Sequence, residues 1–140
     1  MEPSLAAAVR AELRAFVMAA GTRRSLPTTC HVGHPGGERS RWLHGGRSDD
    51  PTMRADLVER AIDGLASTDG ACGWLTRGGG LDLTDADAEW FAAVRSGFAR
   101  HGLTLPAFFV LNRTAWVDLV SGERRTWTRV RSGARSPGSG

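Results

Sequence analysis

The sequence predicts an α/β fold: a single domain with a mixed β-sheet, a central β-α-β unit, two further helices and two β-hairpins. Three observations carry that reading. A capped amphipathic helix sits between two short apolar runs. Two other stretches repeat apolar residues at helical spacing. Two pairs of short segments are joined by turn residues. The expected order is α-β-β-α-β-α-β-β-β, with residues 1–131 as the domain and 132–140, rich in Gly, Ser, Arg and Pro, as a disordered tail.

The first helix spans about residues 5–20. Leu5, Val9, Leu13, Phe16, Val17 and Ala20 share one face, and Arg10, Glu12 and Arg14 fall outside it. Ser4 is its expected cap and Gly21 its stop. A packing helix is the plain reading, with a dimerising helix as the alternative. Residues 28–34 and 40–44 form a hairpin around Pro35, Gly36 and Gly37, polar enough to lie at a sheet edge. Asp50 then Pro51 marks the next helix start, and its apolar stripe is Met53, Leu57, Val58, Ala61, Ile62 and Leu65.

The central unit covers residues 71–113. Thr84 and Asp87 have capping-box spacing, and Asp85, Asp87 and Glu89 suit the positive end of the helix dipole. Trp90, Phe91, Val94 and Phe98 make the apolar stripe, Arg100 and His101 fall in the last turn, and Gly102 closes the helix. The run from Ala107 to Leu111 is continuously apolar, as a strand buried on both faces requires, and residues 71–75 are a weaker version. Strand, helix and strand of these lengths predict a parallel pair. After Arg113 a second hairpin turns at Ser121 and Gly122. A two-residue turn there sets Trp116 opposite Trp127 and Asp118 opposite Arg125.

Composition limits function. The chain has 140 residues, formal net charge +3, and 18 basic side chains that are all arginine. Usage of Arg, Ala and Gly fits a high-GC bacterial genome, so arginine richness is weak evidence for nucleic acid. Without lysine there is no Schiff-base chemistry and no phosphate-loop lysine. Hydrolase-elbow, zinc-protease, paired-cysteine and dinucleotide-loop motifs are absent. No stretch has the length of a membrane span and no secretory leader is evident, so a cytoplasmic protein with reduced thiols is expected.

Three places can carry function. At the carboxyl edge of the central strands, Arg77, Asp82, Asn112 and Arg113 meet Gly78, Gly79 and Gly80, an arrangement suited to a phosphate or carboxylate. The opposing reading pairs the arginines with nearby acids, and a variant uses Asp82, Asp85 and Asp87 for a cation. Cys30, His31, His34 and His44, with Cys72, are possible metal ligands at no standard zinc spacing. On the C-terminal hairpin, Arg125, Trp127, Arg129 and Arg131 share a parity, as in a surface for a protein partner or single-stranded nucleic acid. The expectation is a small cytoplasmic, non-enzymatic accessory protein acting through that hairpin, with a homodimer possible. The alternative is a small enzyme or anionic-ligand-binding protein at the strand-end site. No cofactor and no metal is expected, and catalysis is left open.

Overall fold

In a computed structural model, residues 3–45 and 50–126 are described. The element order is α1 (Pro3–Ala20), β1 (Thr29–Gly33), β2 (Arg39–Leu43), α2 (Pro51–Asp63), β3 (Cys72–Thr76), α3 (Asp85–Arg100), β4 (Phe108–Leu111), β5 (Ala115–Asp118) and β6 (Arg124–Thr126). The order is the one predicted. One six-stranded sheet runs β2-β1-β3-β4-β5-β6. Only β3 and β4 are parallel, joined through α3; each other neighbouring pair is antiparallel. The expected α/β architecture and its β-α-β centre are therefore present.

Local signals explain the helix limits. The Thr84 hydroxyl accepts from Asp87 N, and the Asp87 carboxylate accepts from Thr84 N, so two otherwise unpaired donors are satisfied at once. Asp50 caps α2 with a single bond, accepting from Thr52 N, with Pro51 in the first turn. α1 begins at Pro3, which puts Ser4 inside the helix rather than at its cap.

The two sheet faces are covered unequally. On one face, α2 and α3 pack Val58, Ile62, Trp90 and Val94 against Leu75 and Val110. Two glycines set the closeness of this layer. A Cβ on Gly73 of β3 lies 2.8 Å from Val94 Cγ1, and one on Gly97 of α3 lies 2.5 Å from Val58 Cγ1. On the other face α1 is the only helix among the described residues, and its Val9 and Leu13 cover Trp74, Phe109, Leu111 and Trp116. Six strands span much more width than one helix can cover, given strands about 4.8 Å apart and a helix about 10 Å across.

Two further expected details differ. The second hairpin pairs Trp116 with Arg125 and Val117 with Arg124, two residues out of the predicted register. Asp118 is the cause. Its carboxylate accepts from Phe108 N and Val120 N at 3.0 Å and from the Ser121 hydroxyl at 2.9 Å. That side-chain turn ends the strand early and makes the connection longer than two residues. Within α2, Met53 is exposed whereas Arg54 is buried. Met53 therefore falls outside the buried stripe, and the Arg54 guanidinium lies over the Trp90 ring at 5.7 Å. Trp127, Arg129, Arg131 and the expected tail fall outside the described residues.

Candidate functional site

The predicted strand-end site is a closed structural knot. Arg77 Nε and Nη2 donate to the two Asp87 oxygens at 2.9 and 2.7 Å. Nη1 donates to the Gly78 and Gly80 carbonyls, and Nη2 also reaches the Asp82 carbonyl. These bonds use the full donor set of a guanidinium. Asn112 donates to the Gly79 carbonyl at 2.8 Å, tying the same glycine loop to β4. Arg113 points elsewhere: its Nη1 and Nη2 donate to the Gly21 and Arg23 carbonyls just past the end of α1. Arg77, Asp82 and Asn112 thus come together, Arg113 does not join them, and Arg77 keeps no donor for an anion.

The cysteine and histidine residues do not converge. Cys30 faces the core beneath α2 and α3, and Cys72 faces the opposite layer. β1 ends at Gly33, so His34 lies past the strand and bonds the Ser67 carbonyl at 2.8 Å. His44 Nδ1 accepts from Trp90 Nε1 at 3.1 Å. Among the described residues no group of three or more His, Cys, Asp or Glu is placed to hold a metal. Burial pushes both thiols well above their ordinary value.

A different place has the geometry of a site. Where α1 leaves the sheet uncovered, a cleft of about 1310 Å³ opens beside β1 and β2. Phe16 and Ala19 of α1, Leu26 of the linker, and Trp42, Met53 and Leu57 supply apolar wall. β2 is the sheet edge, and α2 belongs to the far face, so the cleft bends around that edge. Its size is ample for a small organic ligand, whose pockets run to about 300–1,000 Å³.

The polar end is built on alternating strand residues. His31 of β1 pairs with Arg41 of β2 on one side and Trp74 of β3 on the other, so all three face α1. The His31 and Trp74 rings stack with centroids 5.1 Å apart and planes 3° from parallel. His31 Nε2 is 3.0 Å from Thr76 Oγ1. Arg39 lies 5.0 Å over the Trp74 ring and makes two 2.6 Å bonds to Glu12. Gly36 N also donates to Glu12, at 2.9 Å.

Charge in this corner follows from those contacts. Burial alone raises the Glu12 pKa, but the bonds from Arg39 and Gly36 outweigh it and hold the carboxyl below its usual value. Burial, reinforced by Arg39 and Arg41 and opposed by Glu12, lowers His31 to about 4, so its ring is neutral at pH 7. Arg39 is engaged at all three of its guanidinium nitrogens, Nε on the Gly37 carbonyl and Nη1 and Nη2 on Glu12. Arg41 and Arg23 also line the cleft, and neither guanidinium has a hydrogen bond or ion pair among the described residues. Glu12 is the one carboxylate lining it among those residues.

The Thr76–His31 contact resembles a hydroxyl–base pair, but the third member is missing. His31 Nδ1 is buried with no partner among the described residues, and Glu12 is committed to Arg39 and Gly36. A catalytic imidazole is normally oriented through that second nitrogen. The arrangement suits binding better than nucleophilic attack. The sequence marks His31 as a possible metal ligand and does not mark Glu12, Arg39 and Arg41 as its neighbours. The alternation of Arg39 and Arg41 on an edge strand was the available signal. No family model matches the chain, and comparison with curated proteins and with solved structures returns no match either.

Proposed function

We propose that the protein is a small-molecule-binding domain, acting without catalysis, that takes its ligand in the cleft between α1 and the β1–β2 edge. The observation that supports this reading is the cleft itself: apolar walls from α1, the linker, β2 and α2 around a polar corner made by Glu12, His31, Arg39 and Thr76. A few fixed polar groups in a mostly apolar concavity is the ordinary composition of a ligand site. The reading includes a cytoplasmic location, supported by two buried, unpaired cysteines. No described helix is long and apolar enough to cross a membrane.

The test is thermal-shift screening of carboxylates, phosphates, nucleotides and neutral apolar compounds, repeated on Ala19→Trp. Ala19 is exposed and lines the cleft, so the indole fills it without disturbing the core. Ligands are expected to stabilise the parent protein and not the filled variant. Equal shifts in both, or none in the parent, contradict the reading.

A second reading keeps the C-terminal hairpin as a surface for nucleic acid or a protein partner. It is favoured by β6, an edge strand whose three residues, Arg124, Arg125 and Thr126, are all exposed. Arg125 is joined in that reading by Trp127, Arg129 and Arg131. Salt-dependent retention on single-stranded DNA or RNA, lost in Arg125→Ala with Trp127→Ala, supports it. Retention unchanged by the double substitution removes it.

A further inference from the structure

We infer that the ligand of the cleft is a single-chain amphiphile with an anionic head, a carboxylate or phosphate, bound through Arg41 and Arg23. The inference rests on the cleft being a ligand site and adds the chemical class. Among the lining groups, Glu12 and Arg39 neutralise each other through two short bonds. His31 does not offset or add charge, because its ring is neutral. What remains is positive: Arg41 on β2 and Arg23 on the linker, both exposed and both without a protein acceptor among the described residues.

Arg41 is two residues from Arg39 on the same face of the strand, so the engaged guanidinium sits beside the available one. Arg39 is held from three sides, by Glu12, by the Gly37 carbonyl and by Trp74, and it acts as a fixed wall. Arginine favours oxyanions because its planar fork matches two oxygens at once. A cationic ligand meets two unneutralised arginines, and a neutral one leaves both heads unused. The apolar part of the lining is Phe16, Leu26, Trp42, Met53 and Leu57. Leu43 and Met53 are exposed apolar side chains on the same lining, 60% and 44% accessible. An aliphatic chain covering them removes apolar area from water. The ligand therefore needs both parts, a charged head and an apolar body.

Calorimetric titration of the full chain with dodecanoate, dodecyl phosphate, dodecanol and dodecylamine, each below its micelle concentration, tests the class. The same titrations are run on Arg41→Gln with Arg23→Gln and on Ala19→Trp. The expected result is saturable binding of an anionic compound, weakened about tenfold or more by the double arginine change and abolished by Ala19→Trp. Dodecanol binding as tightly as the anions, or dodecylamine binding more tightly, overturns the anionic class while leaving the cleft as an apolar ligand site. No binding by any of the four overturns the class, and a silent thermal-shift screen in addition removes the cleft reading itself. Co-sedimentation with phosphatidylglycerol vesicles that free dodecanoate does not displace assigns the head group to a bilayer and overturns the single-chain ligand.

Discussion

Glu12 on α1 and Arg39 on β2 form a two-pronged ion pair, both contacts 2.6 Å, that fastens the helix on one sheet face to the outermost strand. The Glu12 side chain is 7% exposed and that of Arg39 22%. Removing either partner strands the other at a half-closed site. We expect Glu12→Ala or Arg39→Ala to cost about 2–4 kcal/mol, and the double substitution to cost clearly less than the two single losses together. Urea denaturation of the three variants measures this. Simple additivity would show the pair to be incidental.

Stability should depend on pH through His31. Its folded value is about 4 against an ordinary 6.5, so between those values the unfolded chain takes up a proton that the folded chain refuses. Stability is then fully present above about 6.5 and is lost as pH falls towards 4, by at most about 3 kcal/mol. Glu12 acts in the same direction at lower pH, since its depressed carboxyl favours folding only while ionised. His31→Gln removes the first part. Its unfolding midpoint should vary less over that window than the parent's, and an unchanged pH profile would exclude His31 as the source.

The Arg77–Asp87 knot is a folding element. Arg77 and Asp87 side chains are 6% and 1% exposed, and Asp87 also completes the capping box of α3. Asp87→Ala should destabilise by about 3–5 kcal/mol, because a buried guanidinium loses its counter-charge. Arg77→Lys should also be costly, since an ammonium cannot reproduce the fork that spans Asp87 and three carbonyls. Ligand affinity of the folded fraction should be unchanged in Arg77→Lys. A specific loss of affinity would return the site to the strand ends.

Gly97 tests the packing of α2 on α3. The added methyl of Gly97→Ala meets Val58 Cγ1 at 2.5 Å, a distance the layer cannot accept without moving. A cost of about 1–3 kcal/mol is expected. Val58→Ala makes room, so the double variant should be less destabilised than the sum of the singles. Full additivity would show that the helices shift apart freely.

What was legible in the sequence was local. The Thr84–Asp87 box, the Asp50–Pro51 start and the apolar run at Phe108–Leu111 each carry their cause within a few residues, and they sufficed for the element order and the parallel pair. What escaped depends on distant partners. Glu12 reads as a solvent-facing acid beside the apolar stripe until Arg39, 27 positions away, reaches it. Arg54 reads as polar surface until Trp90 provides a ring to lie on. At the strand ends Arg77, Asp82 and Asn112 do meet, but whether a guanidinium serves a ligand or the protein depends on how the glycine loop curls its carbonyls. The hairpin register turned on one side chain, Asp118, whose preference for backbone donors outweighs the two-residue turn suggested by Ser121 and Gly122.

The most direct measurement is nuclear magnetic resonance shift mapping of the labelled protein titrated with dodecanoate. Saturable shifts are expected at Phe16, Arg23, Arg41, Trp42 and Leu57, around the cleft and on both sides of the β2 edge. Shifts gathered instead at Arg77, Gly79 and Asn112, or at Arg124 and Arg125, would contradict it.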